Sequence, residues 1–170
     1  MELDGLPKQA DGTILVVTGG REVGKTTFCR QVIERYRGAG KTVSGLLSPG
    51  RFIDGKKTGI FAIALETNEQ RLLASLVAGE IDGMRQGHWS FDAKVVEWGN
   101  QQLKEAVEAD LLVIDELGPL EFQRRMGWVA AFDRLKSKKF GLALVVIRPE
   151  CLDDFSSLGF TFEVKEISRR

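Results

Sequence analysis

A chain of 170 residues, 43% hydrophobic and 28% charged, has the composition of an ordinary globular protein with a sizeable core. Its 24 basic and 24 acidic side chains cancel to a formal net charge of zero, which argues against a protein whose main task is to coat nucleic acid or an anionic membrane. Cys29 and Cys151 show neither metal-site nor secretory spacing, and no apolar run reaches signal-peptide or membrane-span length, so the expected compartment is the cytoplasm.

Residues 1–12 read as a polar leader closed by an Asp11-Gly12 turn. Thr13-Ile14-Leu15-Val16-Val17 is a short apolar run that suits a buried parallel strand. Next comes Thr18-Gly19-Gly20-Arg21-Glu22-Val23-Gly24-Lys25-Thr26-Thr27, with the spacing of a Walker A phosphate-binding loop. Phe28, Val32, Ile33 and Tyr36 then recur at helical spacing. Strand, loop and helix are the context this motif needs. Gly19 and Gly24 let backbone approach a phosphate, and the amides of the loop and first helical turn converge on anionic oxygens. The expected nucleotide-binding residues are Gly19, Gly20, Arg21, Glu22, Val23, Gly24, Lys25, Thr26 and Thr27. Lys25 would carry charge to the β- and γ-phosphates, and the Thr26 hydroxyl would ligate Mg²⁺.

The helix ends near Gly38, and a second strand spans 42–47 before Ser48-Pro49-Gly50. Strand, helix and strand make a βαβ unit with a parallel sheet and a right-handed crossover. Residues 51–53 and 58–65, joined through Asp54-Gly55, predict a β-hairpin. A short helix is expected at 69–77. The segment 81–91 holds the lone His88 beside Trp89 and Phe91, and His88 is read as a packed or solvent-edge residue. A helix over 92–108 is expected, capped by Asp92, with Val95, Val96, Leu103 and Val107 on its apolar face.

That helix leads to Leu111-Leu112-Val113-Ile114-Asp115-Glu116, an apolar strand ending in two acids, as in a Walker B motif. Asp115 would hold Mg²⁺ through water at the carboxyl edge of the sheet. Glu116 would orient or deprotonate the attacking water, or else is a solvated loop acid. Gly118-Pro119-Leu120-Glu121 turns the chain toward a helix over 127–137. Residues 140–147 form a further buried strand ending in Arg148. Arg148 is read either as a transition-state cation or base contact, with Arg51 or Arg21 as substitutes, or as a surface salt bridge. An edge strand is expected at 160–164. No repeat or linker divides residues 1–170, which are read as one domain.

Thr18-Gly19, Val23-Gly24-Lys25-Thr26-Thr27 and Asp115-Glu116-Leu117-Gly118-Pro119-Leu120-Glu121 together resemble the small nucleoside-triphosphatase family, the thermophilic or cancer-related type. Ser48-Pro49, Gly55-Lys56 and Gly59 fall in that family's order. The chain departs from the pattern at Gly20-Arg21-Glu22, at Gly50-Arg51, and at Arg148, where a histidine is usual. The resemblance implies an α/β fold: a three-layer α/β/α, RecA-like P-loop domain with a mostly parallel sheet and an inserted β-hairpin. It also implies slow, weakly base-selective, Mg²⁺-dependent hydrolysis of ATP, GTP and other nucleoside triphosphates. The catalytic set would be Lys25, Glu116 and Arg148, with Thr26 and Asp115 at the metal. The Asn-Lys-x-Asp motif that reads guanine is missing from the sequence. A small P-loop kinase and a nucleotide-binding accessory protein without useful turnover are the other readings. The expected partner is a nucleoside triphosphate, with no membrane and no nucleic acid evident; the oligomeric state is unspecified, and a monomer is consistent with the sequence.

Overall fold

Alternation along the apolar strands settles the layers. The structure, a computed structural model, describes residues 11–21, 24–105 and 107–168. Four strands run side by side and parallel: β1 (Thr13–Thr18), β9 (Phe140–Ile147), β8 (Ala109–Leu117) and β2 (Val43–Leu47). Leu15, Val17, Leu111, Val113, Leu144 and Val146 point to one face, where α1 (Lys25–Gly38) covers them with Cys29, Val32, Ile33 and Tyr36. Ile14, Val16, Leu112, Ile114, Val145 and Ile147 point to the other. There α2 (Ala93–Glu105), α4 (Ala130–Lys136) and α5 (Leu152–Ser157) contribute Val95, Leu103, Leu135 and Phe155. Period-two burial on both faces gives the three layers expected of a sheet covered on both sides.

Beyond β2 the sheet changes direction. β4 (Lys56–Ala64) pairs antiparallel with β2, and β3 (Gly50–Ile53), β5 (Glu69–Ser75), β7 (Trp89–Phe91) and β6 (Met84–Gln86) extend it as an antiparallel wing. The expected hairpin is β3–β4. The helix expected at 69–77 is instead the strand β5, because pairing with β4 and burial of Leu73, Ala74 and Ser75 outweigh the helical preference of Leu and Ala. His88 sits exposed in the turn between β6 and β7.

Helix α2 starts as foreseen: Asp92 Oδ1 accepts the Lys94 and Val95 amides at 2.9 and 3.4 Å. It stops at Glu105, which leaves Val107 74% exposed instead of on the apolar face. The Gly118 turn opens straight into α3 (Pro119–Arg124), and α5 was not foreseen. The edge strand is β10 (Glu163–Glu166), parallel to β1. Its register lies later than the 160–164 expected, because Phe160 and Phe162 pack on the Phe155 ring at 4.8 and 5.1 Å. Their alternation records aromatic packing against α5, which a strand pattern imitates. Among the described residues no helix is long and apolar enough to cross a membrane.

Candidate active site

The carboxyl ends of β1, β9, β8 and β2 form one edge, the place where open α/β sheets bind ligands. Each strand delivers something to it. β1 runs into the phosphate loop, β8 ends in Asp115 and Glu116, β9 is followed by Arg148, and β2 by Ser48. Gly24 precedes α1 with φ at 100°, a left-handed conformation that strains any side chain. The first bond inside the helix runs from the Phe28 amide to the Gly24 carbonyl at 2.9 Å. Helix α1 itself therefore gives no partner to the amides of Lys25, Thr26 and Thr27, which suits them to an anion. Gly19 is buried, and Gly20 and Arg21 are exposed at the loop tip. Glu22 and Val23 lie outside the described residues.

Asp115 is 2% exposed. Its Oδ2 accepts the Thr26 hydroxyl at 3.0 Å and the Ser48 amide at 3.1 Å, while the Ser48 hydroxyl donates to the Asp115 carbonyl. Burial first, and the neighbouring Glu116 charge second, push the Asp115 carboxyl up to about 7; the Ser48 and Thr26 donors and Lys25 offset only part of that. The residues fit a hard divalent cation. A buried carboxylate short of positive charge lies beside a threonine hydroxyl, and both of its donors among the described residues fall on Oδ2, which leaves Oδ1 for a ligand.

Glu116 sits between two cations. Arg148 Nε donates to its Oε1 at 2.9 Å, and Lys25 Nζ stands 3.7 Å from its Oε2. Lys25 Nζ also donates to the Gly19 carbonyl at 2.9 Å, across the loop. Arg148 thus makes a salt bridge, and the bridge lies within the site. Arg51 is committed elsewhere: its Nη2 meets Glu80 Oε1 at 2.6 Å and its Nε donates to Thr58 at 3.1 Å, inside the antiparallel wing. Arg21 is exposed at the loop tip, and no bond ties it to Glu116 among the described residues.

Two residues carry more than sequence reasoning assigned them. Ser48 clamps Asp115 by two bonds; a signal was available, because the parallel register sets Leu46 against Ile114 and so brings Ser48 level with the acids. Glu121 is a buried brace. Its Oε1 accepts the Gly118 amide and its Oε2 the Trp128 amide, each at 2.9 Å, and burial pushes its carboxyl up to about 7. It fits only because residue 127 is glycine, with φ at 72°; a Cβ there would stand 1.9 Å from Glu121 Oε2. The Gly118-Pro119-Leu120-Glu121 run therefore fixes the chain just after Asp115 and Glu116.

A three-layer α/β/α sheet with a glycine-rich loop opening α1, beside a strand that ends in an aspartate and a glutamate, is a P-loop fold of the RecA-like kind. Comparison with known proteins agrees. A family model described as NTPase matches residues 14–170, and the chain belongs to that family. The nucleoside-triphosphatase THEP1 of Thermococcus kodakarensis is 34% identical over 148 residues, 85% of this chain and 81% of that protein. Among solved structures, THEP1 from Aquifex aeolicus superposes with a TM-score of 0.68 at 17% identity, covering 92% of this chain and 90% of that one. A human cancer-related nucleoside triphosphatase gives 0.66 at 19% identity, covering 92% and 88%. At those identities the likeness is one of fold.

Proposed function

We propose that this protein is a nucleoside triphosphatase that hydrolyses ATP, GTP and related triphosphates to diphosphate and phosphate with water as acceptor. The observation that carries this reading is the placement of Glu116 between Lys25 and Arg148 at the mouth of the phosphate loop. Family membership supports it.

Each residue has a separable task. The amides of Lys25, Thr26 and Thr27 take the β- and γ-phosphate oxygens, with Gly19, Gly20 and Gly24 keeping the loop backbone close to them. Lys25, now bonded to the Gly19 carbonyl, turns its ammonium to the phosphates. Thr26 and Asp115 would hold Mg²⁺, which neutralises phosphate charge. Glu116 accepts the proton of a water aligned with the γ-phosphorus, and Arg148, freed from its pair, meets the charge that develops on the γ-oxygens. That release is a reason for slow turnover: the base is tied to two cations before it can act. The two free, buried cysteines, Cys29 and Cys151, suit a reduced cytoplasmic compartment.

Phosphate release from ATP, GTP, CTP and UTP, with Mg²⁺ or with a chelator, tests this. Similar rates for all four and loss on chelation are expected. Release that survives chelation, or more than ~10²-fold discrimination between bases, a difference of about 2.7 kcal/mol, would contradict it.

A further inference from the structure

Strand order orients a nucleotide bound at the loop. The sheet runs β10-β1-β9-β8-β2, and Arg148 follows β9, Asp115 and Glu116 end β8, and Ser48 follows β2. All of these lie on one side of β1. A triphosphate held by the amides that open α1 therefore turns its γ-phosphate to that side. Its nucleoside end points the other way, over the end of β10 and the residues that follow it.

That side carries an aromatic ring and a cation. Parallel pairing sets Lys165 level with Val17, and so on the face of the sheet that α1 covers. The Lys165 ammonium lies 5.4 Å from the centroid of the Phe28 ring, within cation–π range. Ile167 packs beside Phe28 against the same face of the core. Its amide donates to the Thr18 carbonyl at 2.8 Å, which holds this stretch next to the start of the phosphate loop. Phe28 directly follows Thr27, the last of the three amides left open by α1. Phe28 and Lys165 are both only partly buried, and among the described residues no carboxylate pairs with Lys165. A half-exposed ring under a cation, one residue from a phosphate-binding amide, is placed for a planar group joined to a phosphate.

We propose that Phe28 and Lys165 form the site for the nucleotide's base, which enters between them with the ring on one face and the lysine side chain on the other. The inference rests on the nucleoside-triphosphatase reading of the same edge. A base in contact with both needs about 7 Å between them, two van der Waals layers, so Lys165 lifts away from Phe28 as the base enters. The chemistry of the pair also sets its selectivity. A phenyl ring and an ammonium contact the π-face, which every base has, and leave the hydrogen-bonding edge unread. Weak preference among ATP, GTP, CTP and UTP follows from these two side chains.

Calorimetric titration with two probes tests this: the non-hydrolysable β,γ-imido analogue of ATP, and tripolyphosphate, which has the phosphates and no base. Wild type should bind the analogue more tightly than tripolyphosphate. Phe28→Leu keeps an apolar contact for Ile167 and removes the ring, so affinity for the analogue should fall about tenfold. Lys165→Ala, at a partly exposed position on the outer strand, should fold normally and cost about threefold. Tripolyphosphate should bind both variants within about twofold of wild type, because a side chain that only shapes the loop would move both probes together. The imido analogues of GTP and CTP should lose affinity by factors similar to that of ATP. Equal wild-type affinity for the two probes overturns the proposal. So does a folded variant, of either kind, in which the analogue is unaffected or tripolyphosphate weakens in parallel. Absence of phosphate release from ATP in wild type would strike the hydrolase reading instead, and the titrations would still decide the base site.

Discussion

Asp115 and Glu121 are both carboxylates buried within one short stretch of chain, and burial pushes both up to about 7, yet they serve opposite ends. Glu121 is closed: each oxygen takes a backbone amide, from Gly118 and from Trp128. Asp115 is open: its two donors converge on Oδ2, with Glu116 adding like charge beside it. A buried carboxylate satisfied on both oxygens holds structure, and one satisfied on one side is poised for a ligand. Glu116 differs from both: its two oxygens meet side-chain cations, Arg148 and Lys25, instead of backbone amides, and the proposed mechanism has it exchange them for water.

The sharpest way to break this division is Glu116→Gln. It keeps the shape and removes the base, so turnover should fall by roughly 10²–10⁴ while ATP affinity stays within a few-fold. Hydrolysis at the wild-type rate would move Glu116 out of the reactive group. Glu121→Gln should do the reverse. The amide sets an NH₂ group against one of two backbone donors, at a cost of about 1–3 kcal/mol in denaturant unfolding, with little change in turnover per folded molecule. A stable variant with lost turnover would show that Glu121 acts in the chemistry.

Lys25→Ala should weaken ATP binding tenfold or more, about 1.4 kcal/mol or above, as read by calorimetry. Unchanged affinity would remove the phosphate-loop assignment. A further test is the pH dependence of the nucleotide-free protein. Asp115 ionises from a reference of 3.8 in the open chain but near 7 in the fold. Between those values the folded state binds more protons, so the stability tied to Asp115 is complete below about pH 4 and is lost as pH rises through about 7. Asp115→Asn should therefore gain on wild type in chemical denaturation as pH is raised across that window, while losing Mg²⁺-dependent nucleotide binding. An advantage that shrinks with rising pH would contradict the sign.

The parallel half of the fold was legible because its signals are local and strong. The apolar runs of β1, β8 and β9, and the glycine and lysine spacing of the loop, need no tertiary information. The antiparallel wing was legible only as far as its first hairpin. Glu69-Gln70-Arg71-Leu72-Leu73 is built of helix-favouring residues; pairing with β4 overrides them, and pairing is not written in a short window. At the site, sequence placed Lys25, Thr26, Asp115, Glu116 and Arg148 on one edge, and the structure brings them together. It could not show that Arg148 spends itself on Glu116, or that Ser48 clamps Asp115, because both contacts depend on register between neighbouring strands. Glu121 was visible as part of a motif, but its role as a brace depends on the return of Trp128 and Gly127.

Hydrolysis of ATP in ¹⁸O-enriched water tests the central claim most directly, that this edge directs water at the γ-phosphorus. With Mg²⁺ and no other acceptor, the released phosphate should carry one solvent oxygen and the ADP none. Solvent oxygen in the ADP, or no phosphate release at all, would contradict the account.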